Sequence, residues 1–200
     1  MKVRLLSHLL SKNIFSHLPP VNISKKELLS HLSFTFALEG ISRACSHQLV
    51  RHRVASFSQQ SQRYIQVRRL KNHVIIPPSV AVKSPKVFDS LIDEASDTYQ
   101  ALVDAGIPRE DARFVLPNAT ETNLLVTMDG RALMHFFGLR CCIRAQWEVK
   151  ELSDEILRQV REVEPELFSG AGPYCFQLGR CPEGRFTCGR MSVVIEKYRV

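Results

Sequence analysis

The sequence predicts an α+β fold, one domain with a central mixed β-sheet flanked by long α-helices. Three observations carry this. Residues 33–38 and 121–127 are short runs rich in β-branched and aromatic side chains, as strands are. Residues 86–105 and 130–152 are long and apolar at helical spacing. The chain has 200 residues and is 44% hydrophobic, enough for one compact core.

In chain order, 1–6 reads as a first strand, and 7–26 has no clean period, with Pro19-Pro20 interrupting any helix. Ser24 followed by Glu27 has the spacing of a capping box, so a short helix starts near Lys25. The strand at 33–38 stops at Gly40. A helix over 41–50 follows, with Ser42 as its cap and Ile41, Ala44, Cys45 and Leu49 on one face. Residues 64–67 and 74–76 are short apolar pieces, the first a candidate strand. The helix at 86–105 is acidic and buries Val87, Leu91, Ile92, Ala95, Tyr99 and Leu102. Pro108 opens a short segment with Glu110 and Asp111 in its first turn. After the strand at 121–127, one long helix spans 130–152 and a shorter one 153–163, ended by Pro165. The Gly/Pro/Cys-rich segment 165–200 closes on a last strand at 191–195.

Charge narrows the function. The chain carries a formal net charge of +7, with seven Lys and Arg and no Asp or Glu between Arg43 and Lys71. That balance points to an anionic partner: a nucleic acid, a membrane surface or a small phosphorylated ligand. No apolar run approaches the roughly 20 residues of a membrane span. Basic residues 1–26 lack the apolar segment and cleavage site of a targeting peptide. Six cysteines, two of them adjacent (Cys141, Cys142), suit reduced thiols in the cytoplasm better than a secreted disulfide framework.

The densest chemistry lies in 51–64, where Arg51, His52, Arg53 and Arg63 stand with Ser61 and the carboxamides Gln59, Gln60 and Gln62. Guanidinium forks grip phosphate or a carbonyl edge bidentately, and amides and hydroxyls supply the pairs that read a flat heterocycle. Val54, Ala55 and Phe57 interleave with them, as in a packed loop rather than a solvated one. A second cluster is helical: Arg131, His135 and Leu139 fall at i, i+4 and i+8, with Arg140 and Arg144 continuing nearby.

Arg51-His52-Arg53, seven residues and then Ser61, resembles the signature of the flavin-dependent (alternative) thymidylate synthases. The run Glu110-Asp111-Ala112-Arg113 to Pro117 and the block from Asp129 through Arg131, Leu133, His135-Phe136 and Leu139-Arg140 resemble two further blocks of that family. The likeness covers about residues 32–150, which the resemblance marks as the family core. It implies a reductive methylation of deoxyuridine monophosphate (dUMP) to deoxythymidine monophosphate (dTMP), with FAD as cofactor and NADPH and methylenetetrahydrofolate as co-substrates. By matching position, Gln48, Arg51, Gln59, Gln60, Ser61, Arg63, Arg113 and Arg140 would hold dUMP. Arg51, His52, Arg53, Gln59, Asp129, Arg131, His135, Leu139 and Arg144 would line the flavin site. Arg140 would stabilise the anionic uracil, and Ser61 would position the nucleotide rather than attack it, since no base partner for it is visible. The family's sites form where subunits of a homotetramer meet.

The chain departs from the pattern at three places. Asp129 stands where Asn is expected, Ser30-His31 where the family has Glu-His, and the region 1–31 looks shorter by a helix or more. These departures predict weakened flavin affinity. Cys175, Cys181 and Cys188 lack the close pairs of a zinc knuckle and read as structural or free thiols, with no metal expected. The competing reading is a non-catalytic nucleic-acid-binding protein using the basic 43–71 region, with Phe57 and Tyr64 as stacking platforms. The family resemblance predicts no specific nucleic-acid binding.

Overall fold

A computed structural model describes residues 1–16 and 23–199. The expected interruption at Pro19-Pro20 lies outside the described residues. In chain order the elements are β1 (Lys2–Leu9), α1 (Ser11–Phe15), α2 (Lys25–Leu28), β2 (Ser33–Ser42), α3 (Arg43–Leu49) and β3 (Ser56–Gln59). There follow α4 (Pro78–Lys83), α5 (Pro85–Asp104), α6 (Arg109–Ala112), β4 (Glu121–Asp129), α7 (Gly130–Arg140), α8 (Trp147–Val163), α9 (Pro165–Phe168), α10 (Tyr174–Leu178) and α11 (Met191–Tyr198). The strands form one four-stranded sheet in the order β1-β2-β4-β3. The α+β class holds, and the sheet is antiparallel where a mixed one was expected.

Several boundaries moved for local reasons. The Ser24 capping box forms as expected: Ser24 Oγ accepts from Glu27 N at 3.3 Å, and Ser24 N donates to the Glu27 carboxylate at 3.0 Å. Gly40 does not end its strand; at φ 68° it kinks the backbone, donates to Asn123 Oδ1 at 3.0 Å, and pairing continues to Ser42. Ser42 Oγ then accepts from Cys45 N at 2.9 Å, the expected cap of α3. Residues 64–67 form no strand: a turn over 62–64 gives way to irregular backbone, and the motif segment itself supplies β3. The single helix expected over 130–152 is broken after Arg140. Gln146 starts α8 afresh by accepting from Val149 N at 3.1 Å, and α8 runs unbroken through Ser153. Residues 191–195 are helical: α11 packs against α10, so tertiary contact overrides the β-branched composition.

Residues gather into two compact units. The first comprises Met1–Lys2, Glu39–Gln48 and Ser58–Leu124; the second Val3–Leu38, Leu49–Phe57 and Leu125–Val200. In the first, α5 buries Ile92 and Tyr99, while Val87 and Leu91 remain 74% and 56% exposed, so only part of the expected stripe is covered within the chain. In the second, Phe34, Phe136, Phe137 and Phe168 form the aromatic centre, with edge-to-face contacts of Phe168 to Phe34 and Phe137.

Candidate active site

The second unit holds the pocket that matters most. Strand β4 ends at Asp129, whose carboxylate accepts from Ala132 N at 2.7 Å and caps α7. The acid at the position expected to be Asn thus does a helix-starting task that either side chain can perform. Gly130 follows because a Cβ there would lie 2.7 Å from the Leu29 carbonyl oxygen. From that start α7 projects Arg131 and His135 one turn apart. They line a cavity of about 600 Å³ with Arg51, His52, Arg53 and Asp129. Ser30 lines the same cavity, so the departure from Glu falls on its wall.

His52 is the buried member of this group. Its ring stacks edge-to-face on Phe136 at 5.0 Å, and its Nε2 accepts from Arg140 Nε at 3.0 Å. Burial, reinforced by the positive charge of Arg140 and by His135, holds its pKa down at about 4. His52 is therefore neutral at physiological pH, with its proton on Nδ1. His135 Nδ1 meets Tyr174 Oη at 2.5 Å. Tyr174 reaches it because Gly138 leaves room; a Cβ there would stand 2.6 Å from the tyrosine ring.

Arg140, Leu139 and Arg144 line a different cavity of the second unit, about 340 Å³, beside Cys142, Cys175, Cys181 and Cys188. Burial, followed by the neighbouring Cys142, Cys181 and Cys188, raises the Cys175 pKa. Arg144 lies beyond the end of α7, exposed. It donates to the Phe186 carbonyl and stands 4.0 Å from Glu183. The break after Arg140 takes Arg144 off the helix that carries Arg131 and His135, whereas Leu139 and Arg140 remain on α7 and line the other cavity, Arg140 keeping its bond to His52.

The first unit carries its own basic depression, about 250 Å³, lined by Arg43, His47, Gln62 and Arg113. Burial, and secondarily the charge of Arg113, lowers the pKa of Arg43. Two guanidiniums share this wall and no carboxylate does, the environment of an anion site. Sequence reasoning found Arg113 and missed Arg43 and His47. Their i, i+4 spacing on α3, just ahead of the motif, is the same signal that drew attention to Arg131 and His135.

The remaining predicted residues of this unit are scattered. Gln59 Nε2 donates to Ser46 Oγ at 3.0 Å and Thr122 Oγ1 at 3.3 Å, which commits its amide group to the fold. Gln60 is bound to Asn123 through both backbone and side chain and lines a separate depression. Ser61 Oγ accepts from Arg63 N at 3.2 Å, tightening the turn that follows β3. Arg63 pairs with Glu110 at 2.7 Å on the surface. Gln48 is half-buried on α3.

Comparison with known proteins agrees with these motifs. The family model described as thymidylate synthase complementing protein matches residues 10–166. A flavin-dependent thymidylate synthase of Geobacter sulfurreducens is 54% identical over 181 residues, 90% of this chain and 78% of that protein. One from Nitratidesulfovibrio vulgaris is 49% identical, covering 81% of this chain and 70% of its own. The crystal structure of thymidylate synthase X from Helicobacter pylori, with FAD and dUMP, superposes with a TM-score of 0.67 over 84% of this chain and 97% of its own, at 21% identity. That last likeness establishes the fold, and the matches together settle the lineage: the chain belongs to the thymidylate synthase complementing protein family, that of the flavin-dependent thymidylate synthases.

Proposed function

We propose that this protein methylates dUMP reductively to dTMP, taking the carbon from methylenetetrahydrofolate and the reducing equivalents from NADPH through bound FAD. The observation that carries this reading is the cavity of about 600 Å³ walled by Arg51, Arg53 and Arg131 with His52 and His135. Its size suits a cofactor, and three guanidiniums answer the charge of a dinucleotide diphosphate. FAD, when bound, supplies the hydride chemistry, and the protein supplies orientation and electrostatics. On this reading Arg51, His52, Arg53, Arg131 and His135 hold the flavin, and Arg144 and Leu139 contribute where the assembly brings them to it. Neutral His52, held by Arg140, keeps its wall free of extra positive charge. Arg113, joined by Arg43 and His47, takes the nucleotide phosphate. Arg140 stabilises the negative charge on the uracil, Ser61 and Arg63 order the adjoining turn, and Gln48, Gln59, Gln60 and Arg51 complete the nucleotide contacts.

These residues occupy separate depressions in one chain. That supports a homotetramer in which different subunits complete each site, and the exposed apolar residues Val87 and Leu91 of α5 supply a surface for it. Six free cysteines support a cytoplasmic setting, and no described helix is long and apolar enough to cross a membrane.

The nucleic-acid alternative is not supported. Within its basic region Arg63 pairs with Glu110 and Lys71 with Asp93, while Arg43 lines the anion depression with Arg113, so the stretch is not a continuous free cationic face. Calorimetric titration of dUMP tests the proposal. Arg113→Ala is expected to weaken binding by tenfold or more, since a charge-assisted hydrogen bond contributes about 1.5–3 kcal/mol. Flavin affinity should be unchanged. Unaltered dUMP affinity in this variant would remove the nucleotide assignment.

A further inference from the structure

Four of the six cysteines face one cavity. Cys142 lies in the turn after α7, Cys175 on α10, and Cys181 and Cys188 on the segment between α10 and α11. The other two are packed elsewhere: Cys45 is fully buried on α3, and Cys141 Sγ sits 3.0 Å from Ser153 Oγ. Packing alone does not call for this arrangement, because Cys142, Cys181 and Cys188 are only half-buried.

Four thiols on one cavity wall suit a soft metal. A single zinc ion draws its thiolates to about 2.3 Å, which crowds them together. Among the described residues no group of three or more His, Cys, Asp or Glu is placed to hold a metal ion as a single centre. A polynuclear iron–sulfur cluster instead binds each thiolate to a different iron, so its cysteines stand apart around a cavity that the cluster fills. A cavity of about 340 Å³ with four thiols on its wall has that form.

Two further features suit a negatively charged, thiolate-bound cluster. Arg140 and Arg144 line the cavity, and its one acidic lining residue, Glu183, stands 4.0 Å from Arg144. Arg190 N already donates to Cys188 Sγ at 3.4 Å, the kind of outer hydrogen bond that steadies a ligating sulfur. The segment can wrap closely because Gly179, Gly184 and Gly189 adopt φ of 65°, 51° and 69°.

We propose that Cys142, Cys175, Cys181 and Cys188 ligate a [4Fe–4S] cluster at the end of α7. Each thiol releases its proton to solvent on ligation. The cluster would fasten the segment carrying Cys181 and Cys188 to the turn carrying Cys142, and so fix Arg144, which that segment holds through the Phe186 carbonyl.

The test is iron and acid-labile sulfide analysis of protein purified without oxygen and reconstituted with ferric iron, sulfide and dithiothreitol, the thiol reducing part of the iron to the mixed-valence level of the cluster, followed by electron paramagnetic resonance after reduction. About four irons and four sulfides per chain are expected. Cys181→Ser and Cys188→Ser, both on a half-exposed segment, should each lower the content below half. Cys45→Ala and Cys175→Ala provide the buried comparison, the first retaining iron and the second losing it. Less than one iron per chain after reconstitution would overturn the assignment. So would stoichiometric zinc, a disulfide between any two of the four, or iron that survives replacement of Cys181 and Cys188 together. FAD titration on the same samples keeps this result separate from the flavin reading.

Discussion

His52 is the buried imidazole of the 600 Å³ cavity. Unfolded, it titrates near 6.5; folded, burial and the charge of Arg140 hold it at about 4. Between those values the unfolded chain carries the extra proton, so stability is full above pH 6.5 and is lost as pH falls through 4. The loss is on the order of 3 kcal/mol. Urea unfolding across that range should show the slope in the natural protein and a flatter one in His52→Gln; equal slopes would contradict the burial argument. Ser30 gives a second residue-scale expectation. It lines the cavity at the position where the motif resemblance leads to an expected Glu, and on the proposed reading Ser30→Glu should tighten FAD roughly tenfold by adding one hydrogen bond. Fluorescence titration that finds no change would mean another residue already supplies that contact. The chemistry-bearing residues were legible because guanidinium, imidazole and carboxamide cluster in the sequence. Their hydrogen-bond partners were not: nothing local predicts that Gln59 bonds to Ser46 and Thr122, or that Tyr174, 39 residues downstream, meets His135.

At the scale of elements, α7 organises the second unit, since it starts on the Asp129 cap, carries Arg131 and His135, and ends at Arg140. Gly138 allows Tyr174 to lie against it. Gly138→Ala should cost about 1–3 kcal/mol through overpacking, lowering Tm and loosening Tyr174 from His135. Tyr174→Phe, which keeps the ring and loses only the hydroxyl, should retain most of the stability. If both variants melt like the natural protein, the close approach does not matter. Caps and long amphipathic helices were readable because their signals are local: Ser24 with Glu27, Ser42 ahead of α3, and the apolar period of α5. The break after Arg140 was not, because no Gly or Pro lies between 141 and 146. Gln146 starts the next helix through a side-chain bond visible only in three dimensions. The helix at α11 escaped for a related reason: Val193, Val194 and Ile195 have strand composition, and packing against α10 decides otherwise.

At the scale of the whole chain, five arginines line two depressions: Arg43 and Arg113 in the first unit, and Arg51, Arg53 and Arg131 in the second. The 600 Å³ cavity gathers Arg51, His52, Arg53, Asp129, Arg131 and His135, six of the residues the motifs had marked, whereas Arg113 and Arg140 line cavities of their own. Motif order and spacing revealed the family because they are properties of the chain; the assembly that would complete each site is a property of several chains. The most direct measurement is therefore the reaction itself. Purified protein is supplied with dUMP, methylenetetrahydrofolate and NADPH, with and without FAD, and dTMP is followed by chromatography. The account predicts dTMP that depends on both FAD and NADPH and falls at least tenfold in Arg140→Ala. A protein that binds FAD and dUMP yet forms no dTMP, or forms it equally without flavin, would contradict it.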